Sequence, residues 1–364
     1  MKLYATLSGY LVKTFLKWVL ITAAAVGSIF ALFDFLELLR RTSAKPLVTL
    51  ELVLKMFAYR FPSYFQDILP FVIFFAAILT LWRLNKNQEF LIIKASGVSI
   101  WQFLLPLSAI ALVIGLSDLL IMNSFAAKLV ARYYTLENRY IHERDNPVTV
   151  SEHGFWLREN VQDHHFILHA KHFDVSQAAF YNLELYNFSD RDEFIERFDA
   201  KIAKIEGSYI KLQEGWRIVR DGFPQKFNRI QLPTRLTLER IQESFSNPKT
   251  LTFYSLKSYA KLMDDSGLAA HKYFMQWHGL IARAFWLAVM VMLAATFTLR
   301  PLRSGGTAVM IACGITIAFI LYFLRDITYA LGNAGTLPPI LAAWVPTIVT
   351  GLFAATKLLY SEDG

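Results

Sequence analysis

Six long apolar runs leave few folds open to this chain: Trp18–Leu39, Phe61–Trp82, Ile100–Met122, Gly279–Leu299, Thr307–Leu331 and Leu337–Thr356. About 20 mostly apolar residues cross a bilayer as a helix, because hydrocarbon gives a backbone no other way to satisfy its N–H and C=O groups. The last run carries no charge, and Thr307–Leu324 gives 18 uncharged residues in succession. Apolar residues make up 55% of the chain and charged residues 18%, against about 45–50% and about 25% in a soluble domain. That balance fits several spans joined to one polar region. It argues against an ordinary soluble enzyme, a disordered chain or a collagen-like one. The single cysteine, Cys313, permits no intrachain disulfide and no cysteine-based metal site.

The formal charge of +8 would suggest nucleic acid in a soluble protein. In a membrane protein it reflects basic residues at the inner face, so no nucleic-acid partner is expected. With the N-terminus inside, inner segments carry Lys2, Lys13, Lys17, Arg83, Lys86, Lys94, Arg300, Arg303 and Lys357. The short outer loops carry Arg40, Arg41, Lys45, Lys55 and Arg60. The bias puts both termini in the cytoplasm, yet the outer five need a reason of their own. The first run could be a cleaved signal, with Lys13 and Lys17 before Ala23-Ala24-Ala25, but it stays apolar through Phe33 and reads as an anchor.

Residues 123–278 are polar and fall outside the cytoplasm in this topology. Within them, His165–His169, Phe180–Tyr186, Ile202–Ile205, Tyr209–Leu212, Trp216–Val219 and Arg229–Leu232 alternate apolar and polar residues at the period of a half-buried strand. Glu206-Gly207-Ser208, Glu214-Gly215 and Asp221-Gly222 read as turns between them, at the spacing of a β-sandwich or jellyroll. The flanks Phe125–Arg144 and Ser255–Tyr273 read as helical connectors. The fold expected is α-helical membrane with an all-β insert: spans one to three and a coupling helix at about 84–98 in residues 1–122, an outer β-domain in 123–278, and spans four to six with a short cytoplasmic tail in 279–364.

No G-x-x-x-x-G-K-[ST] occurs, so any ATP used would be bound by another subunit. Ser304-Gly305-Gly306 lacks the lysine and reads as a tight inner turn. His165 and His169 share a strand face, which suits either a metal or a solvated sheet surface; no carboxylate or cysteine recurs at ligand spacing, and no metal or cofactor is expected. No G-x-S-x-G elbow accompanies the outer serines and histidines, nor do Asp174, Glu184 and Asp190 converge in sequence, so no catalytic residue is assigned. Asp34, Glu37 and Arg41 lie at helical spacing near the outer end of the first span, and Arg325-Asp326 lies inside the fifth. Such charges mark either function or local pairing at a helix end. Arg40, Arg41 and Lys45 suit the phosphates of a lipid at the outer headgroup level. Between spans two and three, Phe90, Leu91, Ile93 and Lys94 form a short amphipathic helix closed by Gly97, either lying in the interface or docking into a partner's groove.

Taken together, these features resemble the lipopolysaccharide-export permeases, the paired LptF and LptG subunits of a bacterial ABC transporter. The likeness covers essentially the whole chain. Glu89 with Ala95-Ser96-Gly97 resembles the coupling helix that engages the ATPase subunits, and Gly154-Phe155-Trp156-Leu157 resembles the first jellyroll strand of the G-type subunit. Leu256, Tyr259, Leu262 and Ser266-Gly267, Pro301-Leu302-Arg303-Ser304, and Pro338-Pro339 also fit G-type members. The resemblance implies six transmembrane helices, three on each side of a periplasmic β-jellyroll, in the inner membrane. It implies an F-type permease partner, a cytoplasmic ATPase dimer, a single-span jellyroll partner and a periplasmic bridge protein. It further implies a lateral gate between the first span of one permease and the fifth of the other, with Arg40, Arg41 and Lys45 on lipopolysaccharide phosphates. Some relatives carry a lysine one turn earlier, where this chain has Asp34. An F-type identity, another ABC-type permease, a membrane enzyme with a periplasmic catalytic domain and a scaffold protein are the competing readings.

Overall fold

The computed structural model describes residues 2–43, 45, 48–142, 148–151, 154–161, 164–174, 179–189, 193–220, 222–234, 247–265, 270–299 and 306–362. The chain separates into two compact units. One is helical, formed by Met1–His142, Pro248–Leu256 and His271–Gly364; the other holds the strands, in Glu143–Asn247 with Lys257–Ala270.

Among the described residues, six helices of the first unit are long and apolar enough to cross a membrane. They are α1 (Lys2–Thr42), α2 (Leu50–Lys86), a rod that begins with α4 (Ile100–Ser117), α7 (His271–Thr298), α8 (Gly306–Asn333) and α9 (Pro339–Glu362). Three precede the strands in sequence and three follow. A short α3 (Glu89–Ala95) lies between α2 and α4. The start of α4 is set by Ser99, whose hydroxyl accepts from Gln102 N–H while the Gln102 side chain accepts from Ser99 N–H, a reciprocal cap.

The third span and the connector expected after it are one continuous rod. Through a π-turn at Asp118–Met122, α4 passes into α5 (Asn123–Glu137), and a second π-turn covers Asn138–His142. The connector expected over 255–273 instead divides into α6 (Phe253–Asp265) and the first turn of α7, with Ser266 and Gly267 outside the described residues. Residues 301–305, which carry the Pro301–Ser304 match and most of the glycine turn, also lie outside them.

Burial sorts the helices. Within the chain 67% of the apolar window of α2 and 61% of that of α7 is buried, but only 17% for α1 and 6% for α8. Phe74, Ile73 and Leu81 of α2 and Leu287 and Val291 of α7 pack with Phe15, Phe103 and Leu107 into one core. Gly115 lets α4 approach α7 closely, since a Cβ there would lie 2.7 Å from Ala284 Cα. Such backbone contact is how helices gain packing energy where lipid removes the hydrophobic drive. By contrast Leu32, Phe33 and Leu36 of α1 and Phe319, Ile320 and Phe323 of α8 are exposed.

The second unit is the expected antiparallel β-region. Among the described residues its strands β1 (Val148–Ser151), β2 (Gly154–Val161), β3 (His164–Asp174), β4 (Ala179–Ser189), β5 (Phe194–Glu206), β6 (Tyr209–Val219) and β7 (Gln225–Pro233) form one seven-stranded sheet, each paired antiparallel with its sequence neighbour. Short connections such as Gly207-Ser208 favour this meander over Greek-key crossings; Gly207 supplies the positive φ of 62° that the turn needs.

Glu214-Gly215, read as a turn, lies in the middle of β6. Pairing from β3 to β7 is interrupted at one transverse rung, Lys171–Asn182–Lys201–Glu214–Asn228; β4 and β5 also shift register near their far end, between Asn187 and Phe188. Asn182 and Glu214 are left-handed there, at φ 52° and 49°. Buried positions slip by one residue across the rung, from Ala170 to Phe173, Leu183 to Phe180 and Ala200 to Ala203. The rung is a crease. Leu157, Phe166, Leu168 and Leu185 from one half and Ile210 and Leu232 from the other line a common void of about 10 Å³, so the halves close over one apolar interior.

Gly215 makes the crease possible, because a Cβ at this position would lie 2.0 Å from Asp199 O. We expect Gly215→Ala to destabilise the sheet by about 1–3 kcal/mol, the usual cost of overpacking. Faster hydrogen exchange of β5 and β6 peptides would report it. Gly222→Ala, whose Cβ would meet nothing closer than 3.5 Å, is the control expected to change little.

Candidate functional site

The last turn of α1 ends in Arg40 and Arg41, where the helix dipole favours positive charge. Glu37 organises both. Arg40 Nε and Nη2 donate to its two oxygens at 2.8 and 2.9 Å, and Arg41 Nε donates to Oε1 at 2.8 Å. Held along one edge, both guanidiniums remain outward, with side chains 76% and 47% exposed. Lys45 follows within a turn, its N–H bonded to Thr42 O. Exposed pairs of this kind contribute little stability; what they supply is an oriented cationic edge.

Asp34 does not belong to this group, although its spacing from Glu37 and Arg41 suggested so. It is buried, and Arg60 Nη1 of α2 lies 3.1 Å from its Oδ1. The Arg60 guanidinium also sits over the rings of Tyr64 and Tyr133, at 5.6 and 5.4 Å. Asp34 is thus the counter-charge that allows Arg60 to sit among apolar helices. Its partner is in another helix, and local spacing carries no signal for it.

A second polar group went unread in the sequence. Arg283 of α7, 7% exposed, places Nη2 2.9 Å from Asp118 Oδ2, and Gln66 Nε2 donates to Asp118 Oδ1 at 2.6 Å. Asp67 lies 3.7 Å from Arg283 and pairs with Lys249 at 2.8 Å. Asp118 opens the π-turn of the rod, and such turns recur where a helix redirects a polar side chain. A cavity of about 380 Å³ adjoins, lined in part by Asp67, Arg283, Arg325 and Asp326. Adjacent residues on a helix do not face each other, and Arg325 lies instead over Trp286 and Tyr329, at 5.8 and 5.1 Å.

In α3, Glu89 accepts from Tyr10 Oη at 2.9 Å and from Asn87 Nδ2 at 3.1 Å. Phe90 is buried against Phe103, with ring centroids 5.2 Å apart, whereas Leu91 and Ile92 are exposed. Ala95 ends the helix, Ser96 caps it and Gly97 turns the chain at φ 83°. The helix therefore has one anchored face and one open apolar face.

In the sheet, the His165 ring stacks on Phe188 and the His169 ring on Trp156, with His169 Nδ1 3.7 Å from Glu184. Among the described residues no group of three or more histidine, cysteine or carboxylate side chains could hold a metal. Asp190 lies outside the described residues.

Residues 9–360 match the family described as lipopolysaccharide export system permease LptF/LptG. Similar proteins include the lipopolysaccharide export system permease protein LptG of Escherichia coli K12, 22% identical over 359 residues that cover 95% of this chain and 96% of the relative. LptG of Haemophilus influenzae is 20% identical over 360 residues, covering 94% and 95%.

The Arg283–Asp118 contact has a direct test. Arg283→Met leaves a buried carboxylate with one amide for company, and removing one partner of a buried pair costs about 3–5 kcal/mol. The melting temperature of the detergent-solubilised protein is expected to fall, and Asp118→Asn in the same chain to restore most of the loss. Additive losses in the double variant would show that the two groups are not coupled.

Proposed function

Because this chain belongs to the lipopolysaccharide export permease family LptF/LptG, we propose that it is the G-type subunit of an ATP-driven exporter. In this reading it draws lipopolysaccharide from the outer leaflet of the inner membrane and passes it through the β-unit toward the outer membrane. The observation that carries the proposal is the match over nearly the whole chain, 9–360. The names of the similar proteins favour G-type over F-type.

Removing acyl chains from a bilayer exposes apolar surface worth about 0.8 kcal/mol per CH₂, so an exporter has to offer a continuous apolar path. The uncovered faces of α1 and α8 support a lateral gate shared with an F-type partner, the first helix of each subunit opposing the fifth of the other. The apolar interior of the creased sheet supports a periplasmic conduit, in the role of the jellyroll, that hands the lipid to a single-span jellyroll partner and a bridge protein. Arg40 and Arg41, joined by Lys45, hold lipid phosphates at the rim; their exposure and their alignment by Glu37 support this, since guanidinium forks suit phosphate. Both termini are cytoplasmic. The ATPase dimer binds ATP and engages α3, where Phe90 anchors the helix and Leu91 and Ile92 stand exposed. Glu89, Ala95, Ser96 and Gly97 shape that surface.

Affinity purification from native membranes in mild detergent, followed by mass spectrometry of protein and lipid, tests the proposal. A second six-span subunit, an ATPase and lipid A are expected to accompany the chain. Arg40→Ala with Arg41→Ala should cut the bound lipid about tenfold, given the strength of charge-assisted contacts, and leave the ATPase in place. Glu89→Ala should weaken ATPase recovery and leave the lipid. The chain recovered without ATPase or glycolipid would overturn the reading.

A further inference from the structure

We propose that a cleft at the crease of the sheet binds an anionic oligosaccharide, one that carries phosphate on its sugars. Only the source of that saccharide, the sugar portion of the exported glycolipid, rests on the export reading; the chemistry of the cleft stands without it.

The cleft measures about 830 Å³ and is lined by residues of β3 to β7, within the size range of small-molecule sites. Its side chains lie on the polar face. Glu184, Arg197 and Asp199 alternate with the buried Leu183, Leu185, Phe198 and Ala200 that face the apolar interior.

Three kinds of group converge there. Trp216 is half exposed, and the register sets it between Asp199 and Lys226. An indole face beside polar neighbours takes the C–H face of a sugar ring and leaves the hydroxyls free to hydrogen-bond. The amides of Asn182 and Asn228 supply both donors and acceptors. Charges of both signs surround them. Arg197 is held by Asp199 at 2.5 Å and Glu184 at 3.5 Å, and Lys201 by Glu214 at 3.0 Å. Lys171 and Lys226 are exposed and make no ion pair among the described residues.

This mixture decides between ligands. A small inorganic anion would meet three carboxylates along with the lysines, and a nucleic acid would need a more uniformly basic surface. A phosphorylated saccharide fits both signs: its hydroxyls donate to the carboxylates while its phosphate reaches Lys171 and Lys226. The backbone points the same way. Glutamate in the left-handed region is uncommon, and Glu214 adopts it on the rung where Asn182 does. Strain of this kind clusters at ligand sites, and here it produces the crease that opens the cleft. One sheet then offers acyl chains an apolar interior and sugars a polar exterior.

The test uses the full chain, purified in detergent with the subunits that accompany it. Calorimetry would measure binding of delipidated, phosphorylated core oligosaccharide, of the same oligosaccharide after phosphatase treatment, and of intact lipopolysaccharide. The wild type is expected to bind the phosphorylated saccharide, and the dephosphorylated one at least fivefold more weakly. Trp216→Ala, and separately Lys171→Ala with Lys226→Ala, should each lower saccharide affinity about tenfold; all three side chains are exposed, so the fold should tolerate their loss. Equal saccharide affinity in wild type and both variants would overturn the proposal. Binding of intact lipopolysaccharide without binding of the saccharide would overturn it too and leave the export reading standing. A wild type that binds neither would overturn both.

Discussion

A guanidinium among apolar helices has to meet its counter-charge, and the helical unit is organised around that requirement. Arg283 and Asp118, both about 93% buried, sit 2.9 Å apart and join α7 to the π-turn of the long rod, while Gln66 brings in α2. The cost of desolvating the two charges is recovered only with close geometry and further hydrogen bonds, which fixes how the three helices pack. Arg60 and Asp34 impose the same condition on α1 and α2. With these pairs closed, the enclosed helices α2 and α7 form a frame and the barely covered α1 and α8 lie at its margin.

The sheet solves a different problem. An antiparallel sheet with one apolar face can exclude water by packing on a second sheet, whereas this chain bends one meander at a single rung. Two left-handed residues and a glycine produce the bend, and the buried rhythm slips there so that both halves turn apolar residues inward. One mechanical feature thus creates the apolar interior and, on the opposite face, the polar cleft.

Much of this was legible in the sequence. The six apolar runs fall in the six membrane-capable helices of the described residues, apart from Leu299, one residue past α7, and Leu337 and Pro338, just before α9, and the alternating segments fall in β3 to β7, because both periodicities follow directly from backbone geometry. Gly97 ends α3 as its position suggested. What escaped depends on tertiary context. Glu214-Gly215 carries the composition of a turn, and only the carbonyl of Asp199 on the neighbouring strand shows why a glycine sits inside one. Asp34 was grouped with Glu37 and Arg41 by helical spacing, but its partner lies 26 residues away in α2. Asp118 and Arg283 are far apart in sequence and lie in or next to apolar runs, so nothing local links them. Alternation and turn spacing identify strands without specifying which pair, so the neighbour-to-neighbour order of the described strands had no signal in the sequence.

The chain is a membrane permease component of lipopolysaccharide export by family, and the central claim is that it forms part of the path the lipid takes. The most direct measurement is release of lipopolysaccharide from proteoliposomes reconstituted with the co-purified subunits, with and without this chain, in the presence and absence of ATP. The account predicts that release requires both ATP and this chain. ATP-dependent release at an unchanged rate without the chain would contradict it.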